Sequence, residues 1–189
     1  MKKLIAALTL FVGLSAQASL LSVLVSDTDV AVGESFDVTI AANMTEDFNF
    51  LSFQLDFDTS MFDLVASSLS SEFSGMVSPF GLLEMSFTDF GFAFFFAEDL
   101  SEPDLAAGEY QAAKFTLTAK AASAVPATFA FADGIFAPAA GNAAFDVVSI
   151  SPDPQQGQAS VAVNAVPAPA ALGLLALALF GLVGLRRKA

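Results

Sequence analysis

The chain carries twenty Asp and Glu residues and neither His nor Cys, so carboxylate pairs are what remains for any catalysis. Triads built on His, cysteine nucleophiles and ordinary zinc sites have no residues to form them. A Ser-x-x-Lys pair is absent as well. The densest acidic group is Glu98-Asp99 with Glu102, Asp104 and Glu109. A glycosidase needs two carboxyl groups about 5–10 Å apart across a cleft, and clustering within one loop does not supply that. The expectation is therefore a solvated acidic loop, no catalytic residue and no enzyme. Asp56 and Asp58 raise calcium, which takes six or more oxygen ligands. The Asp-x-Asp-x-Asx-Gly loop that would gather them is missing. The pair fits the capping of a strand end better, so no metal site and no cofactor are assigned.

The charges are distributed unevenly. All twenty acids fall between Asp27 and Asp153, where only Lys114 and Lys120 oppose them, a net charge of −18 for that stretch. Such a domain repels nucleic acid and anionic surfaces, which excludes nucleic-acid binding. The other basic residues sit at the ends. Lys2-Lys3, the apolar run Leu4–Leu14 and the small pair Ala16 and Ala18 read as a secretion signal over residues 1–18, cleaved before Ser19. An uncleaved anchor or a core helix is the alternative. Export without cysteine leaves apolar burial to stabilise the domain over residues 19–165.

The far end, residues 166–189, has three parts. Val166-Pro167-Ala168-Pro169 is extended by its prolines, which delay any helix until Ala170. Ala170–Leu185 is sixteen uncharged residues, about 24 Å as a helix and a thin span for a bilayer core. Arg186-Arg187-Lys188 would hold its end on the cytoplasmic side. This motif–helix–basic order resembles the PEP-CTERM sorting signal, with Ala168 where the family pattern has Glu. The resemblance implies transient insertion in the inner membrane of a Gram-negative bacterium, processing by the protease-transpeptidase exosortase, and delivery to the cell surface or extracellular matrix. An ordinary C-terminal membrane anchor is the plainer alternative.

Between the ends, the sequence period is two. Glu34–Ile40, Leu51–Asp58, Leu83–Thr88 and Lys114–Lys120 alternate apolar and polar residues, the pattern of strands with one face in a core. Further strands are predicted at Leu20–Ser26, Phe90–Ala97, Ala127–Ala132, Phe145–Ile150 and Ala159–Asn164. Ser60–Leu64 is predicted as a turn or helical step. Ser151–Gly157 is predicted as a loop, because its prolines cannot donate to a ladder. No 3.6-residue stripe competes, so the class is all-β.

The stretches "VAVGESFDVTIAAN" (30–43), "FLSFQLDFDTSMFDLVASS" (50–68) and "GEYQAAKFTLTAKAA" (108–122) resemble, in order and spacing, strands of the cohesin domain. The resemblance implies a jelly-roll β-sandwich of about nine strands acting as a non-catalytic binding or scaffold module, with an unknown extracellular protein or polysaccharide as partner. A carbohydrate-binding module of the same broad fold is the alternative. It would need flat aromatic platforms, and the chain has no Trp and one tyrosine, Tyr110. Most of its Phe residues are expected in the core. In Phe90–Ala97, Phe90, Phe92, Phe94 and Phe96 are expected to fill one face. Phe95 then points the other way, either covered or standing out as a partner contact.

Overall fold

The computed structural model describes residues 18–77, 81–98, 104–138 and 148–166. In chain order its strands are β1 (Leu20–Val25), β2 (Asp29–Ala31), β3 (Ser35–Met44), β4 (Phe48–Asp56), β5 (Phe62–Leu64), β6 (Leu82–Thr88), β7 (Gly91–Ala97), β8 (Gly108–Ala119), β9 (Ala127–Pro138), β10 (Val148–Ser149), β11 (Ser151–Pro152) and β12 (Gln158–Asn164). Two short 3₁₀ turns, Thr59–Met61 and Glu72–Gly75, are the only helical elements among the described residues. The strands form two sheets, one in the order β11-β1-β3-β8-β5 and the other in the order β2-β12-β9-β4-β7-β6, with β10 pairing β9. This is an all-β sandwich, as the alternation predicts.

Alternation explains the core. In β3, Phe36, Val38, Ile40, Ala42 and Met44 are buried while their neighbours face outward. In β4 the buried set is Leu51, Phe53 and Leu55, and in β7 it is Phe92, Phe94 and Phe96. Across the sandwich, Phe115 of β8 meets Phe92 at 5.0 Å and Phe87 at 5.1 Å, and Phe36 meets Phe129 edge-on at 6.1 Å. Buried phenylalanine thus does what disulfides do in smaller secreted domains.

Three one-residue irregularities interrupt the pattern. Between Phe48 and Phe50 the β4–β9 register shifts, so that Phe48 and Asn49 are both buried and Phe50 turns outward. The β3–β8 register slips between Ile40 and Ala41, which leaves Ala112 as the extra residue and buries it beside Ala113. The β4–β9 register slips again between Gln54 and Leu55. Such bulges reverse the inward and outward parity of a strand.

Several sequence expectations change, among them the step at Ser60–Leu64, whose last three residues are β5. The strand count exceeds nine because β2, β5, β10 and β11 have only two or three residues, too few to show a period. Ser151-Pro152 is not loop: it pairs in parallel with Leu20-Leu21 at a sheet edge, where a proline needs no ladder donor. Phe90 does not join the buried phenylalanines. It sits in the turn before β7 and is 71 % exposed, its carbonyl accepting from Phe57 N–H at 3.0 Å. The turn is set by Gly91, whose φ of 151° suits glycine and whose missing side chain would otherwise strike the Leu55 carbonyl oxygen.

Candidate functional site

Two features outside the core could act: the outward face of β4, β7 and β6, and the segment leaving β12. On the first, the outward residues are Phe50, Ser52, Gln54 and Asp56 from β4, Ala93, Phe95 and Ala97 from β7, and the exposed Leu82 with Glu84, Ser86 and Thr88 from β6. Phe95 stands between Ser52 and Glu84 in register, half-buried, with its ring edge-on to Phe50 at 5.1 Å. It is therefore neither sealed in a second core nor isolated. A neighbouring ring holds it in place and leaves part of it open. Beside it lies an open recess of about 480 Å³ lined by Ser52, Gln54, Glu84, Ser86 and Ala93. Small side chains on β7 and hydroxyls on β6 leave this space, and Gln54 is fixed by donating to Asp56 at 2.6 Å.

The charge of this face is one-sided. Both lysines of the domain belong elsewhere: Lys114 pairs with Asp37 at 2.8 Å and Lys120 with Asp63 at 2.9 Å. The Lys114 hydrogen bond, followed by that from Thr116, holds the Asp37 carboxyl below the usual carboxylate range. Exposed pairs of this kind contribute about 0–1 kcal/mol. The β4-β7-β6 face offers carboxylates, an amide, hydroxyls and an aromatic edge, and no cation.

Several of the acidic residues have separate structural tasks. Asp58 caps the 3₁₀ turn at Thr59–Met61, accepting from Ser60 N–H at 3.0 Å and Ser60 Oγ at 2.6 Å. Asp104 accepts from Asn49 Nδ2 at 3.1 Å, Asp47 from Ala107 N–H at 2.8 Å and Glu72 from Gln111 N–H at 2.7 Å. Glu98 departs from the solvated-loop expectation, because its side chain is buried where β7 ends and its N–H bonds the Asn49 carbonyl at 2.8 Å. Asp99 and Glu102 lie outside the described residues. No group of three or more metal-ligating side chains comes together among the described residues.

Tyr110, the one residue available as a sugar platform, is committed to packing. Its ring stacks on Phe73 at 5.4 Å and meets Phe48 edge-on at 5.4 Å, while its hydroxyl donates to the Ala106 carbonyl at 2.6 Å. Burial first, then the Glu72 and Asp47 charges, raises its pKa above the ordinary tyrosine value.

At the two ends, Ala18 is exposed, whereas Ser19 is buried with its hydroxyl on Thr45 Oγ1 at 3.2 Å and on Thr45 N–H at 3.1 Å. Ala16 lies outside the described residues. So do Pro167, Ala168, Pro169 and the basic residues Arg186, Arg187 and Lys188. Val166 is described, 61 % exposed, two residues beyond the end of β12. No helix among the described residues is long and apolar enough to cross a membrane.

Comparison with known sequences identifies this last segment. Residues 165–188 match the PEP-CTERM protein-sorting motif. The motif accounts for the order of prolines, apolar run and basic end, and the Ala at position 168 does not prevent the match. No curated protein sequence matches the chain. The sandwich is similar to solved cohesin modules. A cohesin module from a Clostridium perfringens family 33 glycoside hydrolase superposes with a TM-score of 0.56 at 12% identity, covering 80% of this chain and 100% of its own. The seventh ScaB type I cohesin of Pseudobacteroides cellulosolvens gives 0.53 at 17% identity, covering 79% and 96%. The cohesin of a type I cohesin–dockerin complex from Clostridium thermocellum gives 0.55 at 15% identity, covering 80% and 100%. At these identities the likeness shows the fold, which is that of cohesin.

Proposed function

We propose that this is an exported, non-catalytic binding module, sorted by an exosortase-type enzyme and presenting the outer face of β4, β7 and β6 to a protein partner outside the cell. The observation that carries the binding half is Phe95. A partly exposed aromatic, braced by Phe50 and bordered by a recess of about 480 Å³, is the arrangement that contact hot spots use. A partner would seat an apolar side chain against the Phe95 edge and place hydrogen-bond donors over Ser52, Gln54 and Ser86. Glu84 and Asp56 favour donors that carry positive charge. A dockerin occupies the complex of the Clostridium thermocellum relative. A protein ligand is accordingly the reading supported here, over a polysaccharide, because Tyr110 is packed and the recess has one aromatic edge rather than a platform.

The sorting half rests on the motif at 165–188. Under it, residues 1–18 direct export and are removed, residues 19–165 fold outside the inner membrane, and residues 166–189 are processed. The domain then acts at the cell surface or in the extracellular matrix.

Capture on beads tests the binding face. The native protein and the variants Phe95→Ala and Ser86→Arg are exposed to extracellular-matrix protein from the native host, with Leu24→Arg on the other sheet as control. The partner should be retained by the native protein and by Leu24→Arg, and lost by at least about tenfold with the two face variants, a cost of about 1.4 kcal/mol or more. Equal capture by all four would refute this face.

A further inference from the structure

The path by which the chain leaves the sandwich determines which part of the domain a membrane would meet. The last residues of β12 are held firmly. Ala162, Val163 and Asn164 pair in parallel with Asp29, Val30 and Ala31. The Asn164 carbonyl accepts from Val32 N–H at 3.0 Å, and its side chain donates to Asp29. Val161 and Val163 are fully buried. Only residues 165–169 then separate this strand from the apolar run that begins at Ala170. Fully extended, five residues reach about 17 Å. While that run is in a bilayer, the end of the sandwich at which β12 and β4 finish and β9 begins is therefore held within about 17 Å of it, facing the lipid surface.

At that end the two flanks of β12 differ. On the β2 side stand carboxylates: Asp27, Asp29 and Glu34, the last accepting from Ala31 N–H at 2.8 Å. On the β9 side runs the loop from Ala121 to Pro126, joined to β12 by Ser123 N–H on the Val163 carbonyl at 3.1 Å. All six of its residues are exposed, none is charged, and Val125 is 70 % exposed. The nearest cation, Lys120, is neutralised by Asp63. That end also carries Asp56, Asp58 and Asp63, so within it the uncharged loop beside the membrane tether is where lipid contact costs least.

We infer that the Ala121–Pro126 loop is a lipid-contact surface, dipping Val125 into the bilayer interface while the C-terminal segment is inserted. The inference rests on the reading of residues 166–189 as a transiently inserted sorting tail. Contact by so few apolar residues is weak for a free domain. The short tether makes it intramolecular and thereby effective. It ends when processing releases the domain, which suits a protein that must leave the membrane.

The chain has no cysteine, so single sites can be labelled in the protein from Ser19 to Ala189, prepared without residues 1–18. A fluorophore is placed on Val125→Cys, Ala122→Cys, Leu82→Cys at the opposite end of the sandwich, and Leu175→Cys in the tail. The protein is reconstituted in phosphatidylcholine vesicles containing brominated-chain lipid, with folding of each variant checked by circular dichroism. Bromine should quench the tail label strongly, and the labels at 122 and 125 at least about twofold more than the label at 82, as expected for groups within about 5–10 Å of the acyl boundary. Adding Val125→Glu should bring the label at 122 back to the level at 82. Quenching of the tail with the loop no different from position 82 would overturn the lipid contact and leave the sorting reading standing. No quenching of the tail would overturn both.

Discussion

Phe73 is the residue whose removal tests the packing account most sharply. It lies outside every strand, in the 3₁₀ turn Glu72–Gly75, yet is fully buried. Its ring stacks on Phe96 at 4.5 Å and on Tyr110 at 5.4 Å, and it meets Phe94 at 5.7 Å and Phe48 at 6.1 Å. The ring thus ties β4, β7 and β8 together from a connection between strands. Phe73→Ala removes it from a site bounded by rigid rings that collapse poorly, which places the cost at about 3–5 kcal/mol. Against a total stability of about 5–15 kcal/mol, that is a large share for one side chain. With a urea m-value of about 2 kcal/mol/M, the denaturation midpoint should fall by about 2 M at unchanged m. Phe90→Ala, at a site 71 % exposed, should move it by no more than about 0.3 M. If the two substitutions shifted the midpoint equally, the turn would not be docked in the core and the packing account would fail.

Two other perturbations separate specific causes. Gly91→Ala adds a methyl group where φ is 151° and the Leu55 carbonyl oxygen already fills the space, whereas nothing lies within 4 Å of the position a Cβ would take at Gly75. Thermal melting should show Gly91→Ala destabilised by at least about 1–3 kcal/mol, and Gly75→Ala unchanged or slightly stabilised. Tyr110 is the sole tyrosine in a chain without tryptophan, so an ultraviolet titration reads it alone. Its folded-state pKa should lie above 10, with burial the main cause. Because that pKa is raised, its contribution to stability is complete below the unfolded value and fades as the pH climbs through the folded one. Denaturation midpoints measured on the alkaline side should fall accordingly, and a titration at the free-tyrosine value would contradict the packed ring.

The parts of this fold legible in the sequence are those with enough residues to show a period. Ser35–Met44, Phe48–Asp56 and Gly108–Ala119 each alternate over several residues, and the strands follow that alternation. Asp29–Ala31 and Ser151–Pro152 do not, because a two- or three-residue pairing is decided by the neighbour it reaches rather than by its own pattern. Parity carries further only as far as the next bulge. The shift between Phe48 and Phe50 turns Phe50 outward beside Phe95, and no local signal in Phe48-Asn49-Phe50 announces it. Phe90 misled for the opposite reason: it continues the alternation of Phe92, Phe94 and Phe96, but Gly91 breaks the backbone just after it. The sorting tail was legible because its signal is an order of compositions, which needs no tertiary contact. The recess beside Phe95 was not, since Ser52, Glu84 and Ala93 meet only through strand pairing across three strands.

The central claim, that a sorted module acts outside the cell through the β4-β7-β6 face, is tested most directly by where the protein ends up in its native host. The measurement is the ratio of matrix-bound to freely dissolved protein, with the intact mass of each pool, for the native chain, Phe95→Ala and Ser86→Arg. All three should be recovered beginning at Ser19 and lacking the apolar segment Ala170–Leu185. The native protein should be concentrated in the matrix, and the two variants should shift into the medium by about tenfold or more. Identical partition of all three, or recovery of the native protein with its apolar segment intact, would contradict the account.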